Sequence, residues 1–113
     1  MENLKVWIHT RVSNVKEREL LIYQKELLSK IAKDINMEIT GISHETSKGI
    51  DANSNELTNI KNHACRHDFD VLLVYDKTRI LIYDDLFAEF KMICEMNDIC
   101  ILTYQELEKL FLK

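Results

Sequence analysis

Four short apolar runs, each followed by a stretch of helical period, constrain this chain more than any other feature. The runs are LKVWIH (residues 4–9), MEITGIS (37–43), FDVLLVY (69–75) and ICILTY (99–104). After the first run, Leu20, Leu21, Gln24, Leu27, Leu28, Ile31 and Ile35 recur at three- and four-residue steps. That spacing predicts a helix from Val15 to about Ile35. HETSKGIDANSN (44–55) is polar, carries a glycine and reads as a loop. Leu57, Ile60 and Ala64 then share one face of a short helix, and Leu86, Phe87, Phe90 and Ile93 mark a third. QELEKLFLK (105–113) closes the chain as a fourth. Such alternation predicts an α/β fold: a three-layer α/β/α sandwich on a mainly parallel sheet of about four strands.

The chain holds no proline and only two glycines, Gly41 and Gly49, so no linker interrupts it. Its 113 residues are expected to form one domain, 1–113, with no C-terminal DNA-binding domain in this chain. A formal net charge of −4 gives no overall attraction to nucleic acid. No apolar run approaches the roughly 20 residues of a membrane span, and MENLKV lacks an export pattern. Cys65, Cys94 and Cys100 are an odd count without framework spacing, as expected of reduced thiols in a cytoplasm. No membrane partner, metal or cofactor is expected.

In α/β sheets of this type, active residues gather at the carboxyl ends of the strands. Arg11 and Ser13 are expected just past the end of the first strand, and Asp76, Thr78 and Arg79 past the end of the third. If those strands are neighbours, both groups converge on one crevice. A serine beside arginines suits phosphoryl transfer, because guanidinium groups offer paired donors to phosphate oxygens. The structural alternative for Ser13, or for Asn14, is a helix cap. Gln24 lies on the apolar stripe of its helix, where a structural hydrogen bond is an equal expectation. His63 and His67 are four apart on one predicted helix face, but no acid or thiol is spaced to complete a metal site. They are expected to be surface residues, and Cys94 and Cys100 to pack in the core, while Tyr83 to Asp85 fit an acidic metal pocket and equally the start of a helix.

HTRVS (9–13) read together with FDVLLVYDKTRILIYDD (69–85) resembles the N-terminal catalytic domain of serine site-specific recombinases, the resolvase–invertase family. Arg11, Val12 and Ser13 match the family's R-V-S, and His9 stands where tyrosine is usual. Gln24 matches a helix glutamine. Glu45, Ser47 and Gly49 are the nearest counterparts of an acidic, then serine–glycine loop. Arg79 falls on the first arginine of the D-V-L-L-V-Y motif. The resemblance implies DNA strand cleavage and rejoining, with Ser13 as nucleophile through a 5′-phosphoserine intermediate. It implies Arg11, Arg79 and Gln24 as the remaining site residues. It also implies weak DNA binding by this domain alone, and self-association or pairing with other recombinase subunits. Thr78 replaces a family aspartate, Ile82 a second arginine, and Ser54 lies where another arginine is usual. Losing one charge-stabilising donor typically costs on the order of 10²–10³ in rate. The departures therefore predict a weakened enzyme or, as the alternative, a catalytically inactive resolvase-like interaction module.

Overall fold

Val6 and Ile8 alternate with Trp7 along β1, Lys5–Val12, and the strand is buried from Val6 onward. Apolar side chains thus leave both faces of β1, as a central strand requires. The computed structural model of this chain describes residues 3–111. Around β1 it places α1 (Arg18–Asp34), β2 (Glu38–Thr46), α2 (Asn55–Cys65), β3 (Val71–Val74), α3 (Asp84–Met96), β4 (Cys100–Thr103) and α4 (Tyr104–Phe111). The sheet order is β2-β1-β3-β4 and every pairing is parallel. β1 and β3 are therefore neighbours, and their carboxyl ends open on the same edge.

Two apolar cores flank the sheet. Val6, Ile8, Val71 and Leu73 pack against Leu28 and Ile31 of α1 and Leu107 of α4. Trp7, Leu72 and Val74 pack against Leu57 and Ile60 of α2 and Phe90 and Cys94 of α3. The result is the expected three-layer α/β/α sandwich. Burial pushes the Cys94 thiol up to about 12, as befits a core thiol.

With so few glycines, three helices end on other residues in the left-handed region: Asn36 (φ 61°), His67 (φ 57°) and Asp98 (φ 59°). Each stop carries the same hydrogen bond across the helix end: Met37 N to Ala32 O (2.9 Å), Asp68 N to His63 O (3.0 Å) and Ile99 N to Cys94 O (2.9 Å). This pairing satisfies carbonyls that the last turn leaves open. Each stop then feeds the next strand.

Several expectations change. β1 runs on to Val12, so Arg11 lies within the strand and not beyond it. β2 runs on to Thr46, which takes His44 and Glu45 out of the predicted loop. A 3-10 turn at Val15–Glu17 precedes α1, and Asn14, not Ser13, caps it by accepting from Lys16 N at 3.0 Å. His67 lies beyond the end of α2, so it does not share a helix face with His63. Cys100 is exposed, because β4 is an edge strand. Asp84 and Asp85 open α3 as expected. Residues 112–113 of the predicted closing helix lie outside the described residues. Among the described residues, no helix is long and apolar enough to cross a membrane.

Candidate active site

Three cross-strand pairs lead from the core to the carboxyl edge of the sheet: Trp7 opposite Gly41, His9 opposite Ser43, and Arg11 opposite Glu45. Period-two alternation turns all six toward the α2–α3 layer. The first pair explains a glycine. A Cβ on Gly41 would stand 2.3 Å from the Trp7 ring, so β2 can pass the indole only without a side chain there. The pairs then grow more polar toward the edge.

Ser43 joins the first pair to the second. The Trp7 indole N–H donates to its Oγ at 3.1 Å, and His9 Nδ1 lies 2.7 Å from the same oxygen. The Ser43 hydroxyl thus joins the indole to the imidazole in one buried hydrogen-bonded chain. Burial, with help from the charges of Arg11 and His44, lowers the His9 pKa to about 3. The Arg79 main-chain carbonyl pulls the other way. His9 Nε2 is buried without a hydrogen bond.

Arg11 is almost fully buried, at 3% exposure. Its Nη1 donates to Ser47 O at 2.7 Å, and its Nη2 and Nε donate to Thr78 O at 2.7 and 3.2 Å. One guanidinium thus ties the end of β1 to the loops after β2 and β3. Gly49, at φ +73°, lies against it, and a Cβ there would come within 2.7 Å of Arg11 Cζ. Positive φ favours glycine at this position, and the close approach of the guanidinium leaves no room for a side chain. Gln24 holds the main chain of the same residue: Arg11 N donates to Oε1 at 3.3 Å, and Nε2 donates to Arg11 O at 3.0 Å. Both polar ends of this buried side chain are occupied, so Gln24 positions Arg11.

Arg79 returns the contact, its Nη1 donating to Arg11 O at 3.2 Å. Its Nε is buried without a hydrogen bond, with Asp76 Oδ2 at 3.7 Å. Desolvation first, and the neighbouring Arg79 charge second, lower the Arg11 pKa, while Glu45, Asp76 and Glu17 oppose them. Glu45 forms no ion pair with Arg11. It accepts instead from Ser54 Oγ at 2.8 Å and from Ser47 Oγ. Two guanidinium groups therefore share one sheet edge with three carboxylates, of which Glu45 is turned to serine hydroxyls and Asp76 lies nearest Arg79. The planar donors of both arginines match phosphate oxygens.

Ser13 follows directly after β1. It is exposed, and its main-chain N–H donates to Glu17 Oε1 at 3.2 Å. No hydrogen bond among the described residues holds its hydroxyl. The positions that depart from the resemblance are also accounted for locally. Ser54 caps α2, accepting from Leu57 N at 3.3 Å. Thr78 N and Oγ1 both donate to Asp76 Oδ1. Ile82 is 41% exposed, and its N–H donates to Gly49 O at 2.9 Å, beside the Arg11 guanidinium.

Sequence reasoning gave no role to Ser43, and placed Glu45 and Ser47 only in a loop. The alternation Trp7–His9–Arg11 against Gly41–Ser43–Glu45 was the signal available. His63, set aside as a metal ligand, pairs with Asp68 at 2.9 Å and lies against the Trp7 ring in a tilted arrangement, centroids 4.6 Å apart.

No family model and no curated protein matches the sequence. Solved structures do match the fold. One is the C-terminal catalytic domain of ISC1926 TnpA, an IS607-like serine recombinase, with a TM-score of 0.84 at 18% identity over 88% of this chain and 67% of that one. A resolvase family site-specific recombinase from Streptococcus pneumoniae gives 0.81 at 17% identity, over 91% and 73%. The N-terminal catalytic domain of TP901-1 integrase gives 0.78 at 23% identity, over 90% and 78%. The sheet order, the three layers and these likenesses together identify the fold of this chain as that of serine recombinase catalytic domains.

Proposed function

We propose that this domain performs serine recombinase-type DNA strand cleavage and rejoining, in a weakened form, with Ser13 as nucleophile. The reading rests on the meeting of Arg79 with Arg11 at the sheet edge where Ser13 is exposed. In the proposed step the Ser13 oxygen attacks a backbone phosphorus and forms a phosphoserine bond to the 5′ side. The bond to the 3′-oxygen breaks, that oxygen leaves with the electron pair and takes up a proton from water, and the Ser13 hydroxyl proton passes to water. Negative charge grows on the non-bridging oxygens, where fixed cations lower the barrier. Arg79, a fifth exposed, must turn from Asp76 and the Arg11 carbonyl to meet the phosphate. Arg11 must exchange a carbonyl of Ser47 or Thr78 for a phosphate oxygen, which costs energy. Gln24 acts through Arg11 and does not touch substrate. DNA is the partner, bound weakly by a domain of net charge −4, and pairing with further recombinase subunits supplies the rest of the grip.

The second reading, an inactive interaction module, is favoured by one observation: every nitrogen of the Arg11 guanidinium already donates to a main-chain carbonyl. One graft separates the two. Residues 1–113 replace the catalytic domain of an active serine recombinase, and covalent protein–DNA product is followed on a gel. A faint band is expected. It should vanish with Ser13→Ala and strengthen about tenfold or more with Ile82→Arg, which returns a cation beside Gly49 and Arg11. A band that survives Ser13→Ala removes the serine mechanism. No band in either the natural graft or the Ile82→Arg graft supports the interaction module.

A further inference from the structure

A groove runs along α1 beside the open edge of β2. It consists of two adjoining hollows of about 280 and 480 Å³ that share Lys25 and Glu26. Ile22 forms part of the floor at one end, and Ile39 and Ile42 of β2 at the other. Arg18, Lys25, Lys30 and Lys33 stand along it against the single acid Glu26. All four cations are exposed, and none makes an ion pair among the described residues. This strip of positive charge lies on a chain whose net charge is −4.

β2 pairs only with β1, so main-chain N–H and C=O groups on its outer side face outward, most regularly from Gly41 to Thr46, beyond the bulge at Thr40. From Arg18 to Lys33 the helix spans about 22 Å, the length of roughly seven residues of extended chain. The groove thus offers main-chain partners, an apolar floor on one side of the strand plane, and a cationic wall, all along one line.

We infer that this edge is a docking site for an acidic, extended polypeptide segment of a partner protein, which adds to β2 as a fifth strand. Alternate apolar side chains of the segment lie on Ile39, Ile42 and Ile22. Carboxylates near the α1 side meet Lys25, Lys30 and Lys33. Main-chain hydrogen bonds supply affinity and the alternate side chains supply selection. A second copy of this chain is disfavoured by charge. Antiparallel pairing of two β2 edges about Ile42 would bring two α1 lysine rows side by side, and like charges so placed repel. Lysines beside an open edge also hinder indiscriminate strand pairing, so the same residues that repel a copy select an acidic partner. Duplex DNA is anionic too, but phosphates have no use for an apolar floor or an open strand edge.

The probe is an alternating glutamate–valine heptapeptide, with an alternating lysine–valine heptapeptide and a short DNA duplex as comparisons. Binding to residues 1–113 is followed by NMR, together with amide hydrogen exchange. The acidic peptide should bind, slow exchange at outward-facing amides between Glu38 and Thr46, and weaken with salt. The lysine peptide should bind at least about tenfold more weakly. Lys30→Glu with Lys33→Glu should weaken the acidic peptide by about tenfold or more. Both positions are exposed, so the fold is retained. Equal affinity for the two peptides overturns the inference, as does binding without protection of β2 amides, or no binding up to about 1 mM. DNA that engages the same lysines as tightly as the acidic peptide replaces the proposed partner with nucleic acid. None of these outcomes depends on Ser13 chemistry.

Discussion

Along β1, Val6 and Ile8 point at α1 and α4, whereas Trp7, His9 and Arg11 point at the α2–α3 layer. The first face is ordinary core, and its stabilisation follows from apolar area removed from water. The second face begins the same way at Trp7, then places a histidine and an arginine where burial is nearly complete. Buried polar groups are tolerated only with partners, and here the partners come from far along the chain: Ser43, Ser47 and Thr78. One strand thus carries two kinds of specification. The apolar face tells β1 where to pack. The polar face ties together the loops that form the candidate site.

The largest effect is expected on the apolar face. Ile8 is fully buried between β1's neighbours and α1. Ile8→Ala should cost about 3–4 kcal/mol of unfolding free energy in a denaturant titration, from lost transfer energy and the cavity left behind. A cost under about 1 kcal/mol would mean that α1 collapses onto the gap, and that this face is less tightly specified than its burial implies.

Arg11→Met probes the polar face at its most connected point. The change removes a costly buried charge but leaves the Ser47 and Thr78 carbonyls without their donor. These terms oppose each other, so the net loss is expected at about 2 kcal/mol, smaller than for Ile8→Ala. Arg11→Lys should not restore it, because one ammonium cannot reproduce the planar fork that spans two carbonyls. Hydrogen exchange should report the loss first in residues 47–49 and 77–79. Uniform acceleration across the sheet would show that Arg11 supports the whole fold and not these loops.

The same contrast explains what could be read in the sequence. The apolar face and the helices were legible because period two and period 3.6 are local patterns; Leu28, Ile31, Leu57, Ile60 and Phe90 all face the core as their spacing indicates. The sequence predicts β1 and β2 too short, because the stretches from Thr10 and from His44 onward look like solvent-exposed chain. They are strand because each meets a counterpart across β1 and β2, which no local pattern reveals. R-V-S and the arginine after the third strand marked the right edge of the sheet. What Arg11 touches was not legible, since Ser47 and Thr78 meet it through main-chain carbonyls, and any residue type carries those. Cys100 was misplaced for a related reason: an apolar strand was read as core, and an edge position was not distinguished from a central one.

The smallest effect, and the most selective, concerns pH. His9 belongs to the polar face alone, and its pKa is depressed from 6.5 to about 3. The folded protein therefore keeps His9 neutral where the unfolded chain takes up a proton. Between those two values the unfolded state binds more protons, so stability falls as pH falls. The slope from one such group reaches at most about 1.4 kcal/mol per pH unit. Above pH 6.5 the contribution is constant, and from there down to about pH 5 most carboxylates remain ionised, so histidines dominate that window. His44 is depressed as well, by burial and by Lys25, and adds to the same trend. Denaturant titrations of wild type, His9→Gln and His9→Gln with His44→Gln should separate them. Wild type should be steepest, the single variant shallower, and the double variant nearly flat between pH 6.5 and about 5. Ile8→Ala should shift the whole curve down without changing its slope, because Ile8 itself has nothing to titrate. If His9→Gln leaves the slope unchanged, the buried imidazole is not the acid-sensitive group, and the acid sensitivity does not come from the polar face of β1.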